Sequence, residues 1–380
     1  MADDLFYRVG IESTGVKYDL SNDLGSLTVE QRASQPSKVT IEMRDPFKVF
    51  GHAIQPGMKL DVELGTADAH AIVFAGRIYQ VNGTFPERGV PTVTISAYDG
   101  TMAMGLKERN RVFTDKTLSK IVKEVAGAPP YQFAGVQVDV KGDPSFPGNG
   151  IRQREETDLA FLIRLAAAHG CAMTAAPAKS GELLEFKAER KLIDGDPEVK
   201  LYYGRCDVEN SLLSFTPSSD IGRVQLPRVL AGVEYESGKA ISAGKADSDD
   251  VKDLKDPFAH ENMAAFTKRY PDRGPKLDAL AGTAEATRTT LEQELGTVIR
   301  ETVPTFTTEK DLAQRRQNQF STQRLGMEAS AVTLGNYRLR AQRTVGVLDV
   351  GGQFSGKWFM TQVRHTVNRS GFRTEFECRR

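Results

Sequence analysis

The sequence predicts a mainly β protein with an α+β region in its middle and a largely helical insertion in its second half. Segments of alternating apolar and polar residues fill both ends of the chain, and two amphipathic helical patterns lie between them. A run of mixed charge interrupts the later β region. The 380 residues correspond to two or three domains at about 150 residues each.

Residues 1–110 are predicted to form the first β domain. Val39, Ile41 and Met43 alternate with polar residues, and Pro46 ends that strand because proline cannot donate to a ladder. Further strands are predicted at 27–30, 60–65, 72–81 and 93–98. The segment 72–81 is too apolar to have one face in water, so we expect it at the centre of the sheet. Several strands without a long helix indicate a small barrel or a sandwich.

Residues 111–197 are predicted to form the α+β region. In 117–127, apolar residues recur at a spacing that places them on one helical face. Thr117 or Asp115 could cap the start of this helix and Gly127 its end. The segment 157–170 is apolar almost all round, which predicts a nearly buried helix. We expect 171–174 and 183–186 to pair as a hairpin behind it.

The second β domain is predicted from 198–236 and 328–380, with the insertion 237–327 between its halves. Its strands are expected at 199–203, 212–217, 229–235, 329–334, 345–350, 358–367 and 372–378, the last two joined as a hairpin. Helical patterns appear around 284–300 and 310–327, and we expect an exposed, charged insertion. Two similar β regions suggest an internal duplication, although no residue-level repeat is visible.

Charge and apolar patterning exclude several functional classes. The chain carries 50 Lys+Arg and 50 Asp+Glu, and this neutrality argues against direct recognition of nucleic acid phosphates. No segment reaches the 18 uninterrupted apolar residues of a membrane span. The N-terminus is acidic and lacks an apolar core, so we expect no signal peptide and synthesis in the cytoplasm.

No pattern of catalytic, metal-binding or cofactor-binding residues stands out. The three cysteines and five histidines are scattered, and the nearest pair, His169 and Cys171, is better explained by packing than by metal binding. Phosphate-binding loops and nucleophile elbows are absent from the sequence. We therefore expect no cofactor, no metal and no enzymatic activity.

One segment of the middle region resembles a known family. Glu156-Thr157-Asp158, followed by Phe161, Arg164, Leu165 and Gly170, resembles the helix start, the Phe-Leu-x-Arg-Leu-Ala run and the closing glycine of the phage late control gene D proteins. These are tail hub proteins similar to the first half of the VgrG proteins of type VI secretion. Looser similarity in 74–78, 111–122, 212–217 and 356–376 extends the resemblance over nearly the whole chain.

The resemblance implies two tail-tube-like β-barrel domains flanking the α+β domain, and a homotrimer. Three chains with two barrels each would present six barrels, which adapts a hexameric tail tube to a trimeric spike. The implied partners are the tail tube protein, a separate spike protein, because no needle follows Arg380, and baseplate wedge proteins. We expect the charged insertion to face outward and contact the wedge proteins; the alternative is a passive surface decoration. The implied location is a phage tail or an injection-system particle.

A second interpretation is a hydrolase or a glycan-binding module directed at the cell wall, since all-β units often bind sugars. Hydrolysis of glycosidic bonds normally needs a pair of positioned carboxyl groups in a cleft. The acidic residues of this chain are evenly dispersed, and the dense patch 247–256 has no apolar surroundings. The structural hub is therefore the preferred hypothesis.

The charge is unevenly distributed along the chain. Residues 311–380 carry 12 basic and 5 acidic residues, whereas residues 1–110 carry 11 basic and 14 acidic ones. Arginine suits planar, bidentate pairing with carboxylates. We therefore expect a subunit interface between acidic N-terminal and basic C-terminal surfaces, with these candidate residues: Arg338, Arg340, Arg343, Arg364 and Arg373.

Overall fold

The computed structural model of the chain describes residues 5–140, 142–148, 150–178, 181–205, 211–219, 228–234, 237–243, 259–294, 299–302, 312–313 and 326–380. Their fold is mainly β with an α+β region in the middle, which confirms the predicted fold class.

The first β module consists of seven strands wrapped around one core. Its elements are β1 (Leu5–Ser13), β2 (Val16–Asp19), β3 (Leu24–Arg32), β4 (Lys38–Arg44), α1 (Phe50–Ala53), β5 (Lys59–Thr66), β6 (His70–Thr84) and β7 (Thr92–Tyr98). The spatial order is β2-β1-β5-β6-β7-β4-β3, so β6 is central, as its apolar sequence predicts. The alternating residues Val39, Ile41 and Met43 are fully buried.

The middle module packs its two longer helices against short strands. Its elements are α2 (Thr101–Met104), β8 (Glu108–Phe113), β9 (Lys116–Thr117), α3 (Leu118–Ala126), β10 (Gly135–Asp139), β11 (Ser145–Phe146), β12 (Ile151–Thr157), α4 (Asp158–His169), β13 (Cys171–Ala178), β14 (Gly181–Ala188) and α5 (Glu189–Asp194). β13 and β14 form the predicted hairpin. Both predicted helices are present, and each buries its apolar face in the core of this module.

The remaining elements form the second β module and the insertion. They are β15 (Lys200–Tyr203), β16 (Ser211–Ser219), β17 (Arg228–Val233), β18 (Ala240–Ala243), α6 (Ala259–Arg269), α7 (Gly274–Glu294), β19 (Ile299–Thr302), β20 (Met327–Leu334), β21 (Thr344–Leu348), β22 (Gly356–Asn368) and β23 (Gly371–Arg379). Six of these strands close a barrel in the order β15-β21-β22-β23-β20-β16, since β15 pairs with β16. Trp358 is fully buried at its centre.

The boundaries of the insertion differ from the prediction. The segment 229–235 was expected in the second barrel, but β17 pairs with β18 and β19 in a separate three-stranded sheet. The helical pattern expected over 284–300 ends in α7 at Glu294, and Ile299–Thr302 is a strand. The helix expected over 310–327 lies mostly outside the described residues.

The two β modules are repeats of one strand order. In chain order, strands β1, β3, β4, β5, β6 and β7 correspond to β15, β16, β20, β21, β22 and β23. In space, β1-β5-β6-β7-β4-β3 matches β15-β21-β22-β23-β20-β16. The first strand differs, because β1 runs antiparallel to β5 whereas β15 runs parallel to β21. Among the described ladders, only the second module closes by strand pairing.

Matching β-bulges set the residue correspondence between the modules. A bulge in β6 between Ile78 and Gln80 has its counterpart in β22 between Met360 and Gln362. A bulge in β3 between Leu24 and Ser26 has its counterpart in β16 between Leu212 and Ser214. With the bulges aligned, Gln80-Val81-Asn82-Gly83-Thr84 corresponds to Gln362-Val363-Arg364-His365-Thr366, and Leu24-Gly25-Ser26-Leu27-Thr28 to Leu212-Leu213-Ser214-Phe215-Thr216. The expected duplication is therefore visible in the structure as a residue-by-residue correspondence between the two modules.

The loops that precede β5 and β21 bind the neighbouring long strand, β6 or β22, in the same way. The Gly57 N–H donates to Ile78 O (2.7 Å) and the Ile78 N–H to Met58 O (2.9 Å). In the second module, the Gln342 N–H donates to Met360 O (2.8 Å) and the Met360 N–H to Arg343 O (2.9 Å). Gly57 and Gln342 both have a positive φ, of 95° and 61°. Glycine adopts this conformation without steric cost, whereas glutamine does not.

Candidate functional site

The described residues contain neither a group of three His, Cys, Asp or Glu that could hold a metal ion nor a helix long and apolar enough to cross a membrane. The candidate functional features are therefore the side-chain clusters that fix the three modules to one another and the surfaces that the modules present.

Asp158, at the start of α4, is the centre of the family-motif segment. Its carboxylate is fully buried and is ion-paired with Arg111 and, at 3.2 Å, with Arg109 Nε. Tyr131 Oη donates to Asp158 Oδ2 (2.7 Å), and Gln153 Nε2 donates to Asp158 Oδ1 (2.8 Å). Burial, followed by the hydrogen bond to this carboxylate, raises the pKa of Tyr131 to about 12. The cluster therefore ties α4 to β8, β12 and the loop after α3.

The other motif residues shape α4 and attach it to β12. Arg164 binds Glu156 through two hydrogen bonds of 3.0 and 2.8 Å, and its guanidinium lies 5.2 Å from the centre of the Phe161 ring. Thr157 caps the helix by accepting from the Ala160 N–H (3.2 Å). Thr157 therefore caps the start of α4, and the Arg164–Glu156 pair holds the helix against β12.

The remaining two motif residues fix the packing and the end of α4. Leu165 is buried in the module core. Gly170 ends the helix in the left-handed conformation (φ 59°), donating to Ala166 O and Ala167 O. For α3, neither predicted start residue caps the helix with its side chain, because Asp143 Oδ1 accepts from the Ser119 N–H (2.8 Å).

Two neighbouring carboxyl groups, the buried Asp99 and the half-buried Glu182, join the middle module to the first β module. Glu182 Oε1, in β14, accepts from the Gly100 N–H (2.8 Å). The neighbouring Asp99 is 3% exposed and accepts from the N–H groups of Ser37 (2.7 Å) and Thr101 (3.0 Å). Burial raises the pKa of Asp99 and raises that of Glu182 to about 8. Sequence reasoning missed this pair, because a glutamate in a hairpin strand resembles a solvent-facing residue.

The Glu182 pKa makes this junction depend on pH. The folded pKa, about 8, lies above the ordinary value of 4.5, so the folded chain holds a proton that the unfolded chain has lost. This stabilisation is complete below about pH 4.5 and is lost as the pH rises through 8.

Glu182→Gln should therefore raise the free energy of unfolding at pH 9 by at least about 1 kcal/mol and have little effect at pH 5. The reason is that the amide stays neutral and can still accept from Gly100. Urea unfolding at pH 5 and at pH 9 measures the change, and Glu124→Gln, at an exposed site, is the control. An equal effect of Glu182→Gln at both values would contradict the assignment.

A charge cluster joins the middle module to the second barrel. Glu185, in β14, accepts from Arg343 Nη2 (2.9 Å) and Lys187 Nζ (2.6 Å). Burial alone would raise the pKa of Glu185, but the hydrogen bonds from Lys187 and Arg343 outweigh it and lower the pKa. Gln342, almost fully buried, donates through Nε2 to Met173 O (3.3 Å). The carboxylate of Glu185 therefore stays charged and anchors the second barrel to β14.

The two β modules are joined by a continuous antiparallel ladder between β22 and β3. It runs from Gln362 opposite Arg32 to Val367 opposite Leu27. Across it, Arg364 Nε donates to Glu30 Oε1 (2.9 Å). His365 is fully buried between Thr374 Oγ1 (3.0 Å) and Leu339 O (3.1 Å), and burial lowers its pKa to about 4. Because of this ladder, thirteen described strands of the two modules form one sheet.

Three of the five candidate interface arginines lie at these internal junctions. Arg343 and Arg364 bind Glu185 and Glu30 of the same chain, and Arg340 Nη2 donates to Ile72 O (3.3 Å) of the first module. Arg338 and Arg373 are exposed. Two of the five arginines, Arg343 and Arg364, are thus bound to carboxylates of the same chain, and a role of the five residues between chains stays a prediction.

Comparison with known proteins decides the family. The model of the family described as phage tail baseplate hub (GPD) matches residues 30–371. The chain belongs to this family. The family description gives the hub protein the structural role of a phage tail baseplate hub. No curated protein matches its sequence.

Solved structures share the fold at low sequence identity. A tail protein from Neisseria meningitidis MC58 has 13% identity and a TM-score of 0.65, with 98% of the hub protein and 96% of that chain covered. The 43 kDa tail protein of prophage MuSo2 from Shewanella oneidensis has 14% identity, a TM-score of 0.61 and 98% of both chains covered. A component of the type VI secretion system of E. coli has 11% identity and a TM-score of 0.57, with 94% and 73% covered.

Proposed function

We propose that three copies of the hub protein form a ring of six β modules that adapts a six-fold tail tube to a three-fold spike. The observation that carries the proposal is the repeat of one strand order in two modules that a continuous β22–β3 ladder fixes side by side. Two equivalent modules per chain give three chains six similar contact surfaces. A closed ring of identical head-to-tail contacts is an ordinary form of symmetric oligomer.

The proposed partners follow from this geometry. The ring offers six modules to the tail tube protein on one face and three chains to a separate spike protein on the other. We propose that the insertion contacts baseplate wedge proteins, since most of the described surface of α6 and α7 is exposed. The chain would be made in the bacterial cytoplasm and act in the assembled particle.

The proposed role is geometric rather than catalytic. The motif residues, which would be the natural candidates for a site, are engaged in helix capping, packing and the Asp158 cluster. A hydrolase directed at the cell wall would need a pair of carboxyl groups facing a bound sugar. The carboxyl groups of Asp99 and Glu182 instead accept hydrogen bonds from backbone N–H groups at a module junction.

Light scattering tests the proposed assembly. The hub protein, produced with its tube and spike partners and separated as the hub assembly, should contain three chains of 41.8 kDa. A peptidoglycan cleavage assay on the same sample should show no activity. A single chain per assembly, or six chains, would contradict the adaptor, and cleavage of peptidoglycan would favour the hydrolase.

A further inference from the structure

Among the described strands, each β module has one strand edge that is unpaired although the equivalent edge in the other module is paired. In the second module, β22 pairs with β21 through 356–359 and then with β3 through 362–367. Its equivalent β6 pairs with β5 only up to Arg77, while β7 occupies the opposite edge over the whole of 77–84. Among the described ladders, none occupies the edge of 79–84 that corresponds to the β3-binding edge of β22.

The matching edge lies on β16, the equivalent of β3. β3 pairs with β4 on one edge and with β22 on the other. β16 pairs with β20 over 212–219, but on its other edge only Ser211 and Leu212 meet β15. The described strands therefore leave that edge of 213–219 unpaired. An unpaired strand edge is a template for a further strand.

Side chains are buried where the strand edge is paired and exposed at the equivalent positions where it is not. At the internal joint, Leu27 and Val363 are fully buried, and Val367, only 6% exposed, reaches from β22 into the core of the first module. Phe85 corresponds to Val367 by the bulge alignment and is 64% exposed. The position that contributes to a neighbouring core in one repeat is thus an exposed aromatic side chain in the other.

We infer that β6 of one hub protein pairs antiparallel with β16 of a second copy, in the register of the internal β22–β3 ladder. Thr366 lies opposite Thr28 within the chain. The equivalent residues place Thr84 of one copy opposite Thr216 of the next. The inference rests on the proposed trimer and names its contact.

The polarity of this contact suits a closed ring. The first module offers β3 to the second module of its own chain, and the second module offers β16 to the first module of the next chain. Every joint then uses the same pair of strand types, so the joint within a chain and the joint between chains are equivalent. Head-to-tail contacts of this kind close a ring when the rotation permits it.

Pro217 is compatible with the pairing and with its position in β16. The Ala33 N–H donates to Thr361 O of β22 (2.9 Å). Because the N–H groups of every second residue of a strand point to the same edge, the N–H of Val29 also points towards β22. Pro217 corresponds to Val29. Its missing N–H therefore lies on the unpaired edge, where proline is tolerated in strands. The proposed joint loses one hydrogen bond there and keeps the others.

Cysteine cross-linking of the assembled hub tests the register. Residues directly opposite at a non-hydrogen-bonded position have Cα atoms about 4.5 Å apart, which a disulfide can span. Thr84→Cys with Thr216→Cys should give covalent dimers and trimers on non-reducing gels after mild oxidation. The matched control, Thr28→Cys with Thr366→Cys, should form its disulfide within one chain. Each single variant should stay uncross-linked.

The outcomes separate the strand pairing from the trimer. The pairing is established if the Thr84→Cys/Thr216→Cys variant gives cross-linked trimers. Its register is established if the Thr84→Cys/Ser219→Cys variant gives none. Cross-linking confined to the internal control, in a sample whose mass corresponds to three chains, would overturn the pairing and leave the proposed function standing. A mass of one chain in the assembled particle would overturn both.

Discussion

Asp158→Ala is expected to lower the free energy of unfolding by about 3–5 kcal/mol, because it leaves two arginines without the buried charge that they share. Tyr131 and Gln153 lose their acceptor in the same step. Since the cluster joins α4 to β8 and β12, the loss should affect the whole middle module. Urea unfolding followed by far-UV circular dichroism measures the change.

A surface ion pair provides the control for this prediction. Glu124 is paired with Lys116 at an exposed site, so Glu124→Ala should cost less than about 1 kcal/mol. If Asp158→Ala were no more destabilising than Glu124→Ala, the Asp158 cluster would not hold the module together. Asp158→Asn should lie between the two, since it keeps the shape and removes the charge.

Trp358→Ala is expected to cost about 3–5 kcal/mol, the range for emptying a large aromatic site in a core. The indole is fully buried in the closed barrel, donates through Nε1 to Phe354 O (2.9 Å), and meets the Phe215 ring edge-on at 5.3 Å. Thermal unfolding of the second barrel should therefore shift to a lower temperature.

Trp358→Phe separates the loss of packing from the loss of the hydrogen bond. The smaller ring retains most of the apolar contact but cannot donate to Phe354 O, so its cost should be clearly below that of alanine. Equal costs for the two variants would mean that the hydrogen bond, rather than the filled core, accounts for the effect of Trp358.

The sequence predicts those elements whose local pattern agrees with their packing. β4 and the β22–β23 hairpin alternate as one-sided strands do, and Thr157 and Gly170 mark both ends of α4. β1 was not predicted, because the consecutive residues Leu5, Phe6 and Tyr7 at its start break the apolar–polar alternation. In β17, a short apolar run does not reveal which sheet will accept it.

The repeat and the junctions require the folded chain. Side chains at equivalent core positions differ in size, as Ile41 and Ala331 do, whereas the bulges and strand order persist, so the repeat is recorded in the backbone. The charge asymmetry predicts pairing of C-terminal arginines with carboxylates. It does not show that Glu30 and Glu185 of the same chain are the partners of Arg364 and Arg343.

A cryo-EM reconstruction of the assembled hub tests the proposed ring most directly. We expect three chains whose first and second β modules alternate around the ring, with β22–β3 ladders inside chains and β6–β16 ladders between them. A ring built from six chains, or one in which first modules contact first modules, would contradict the account.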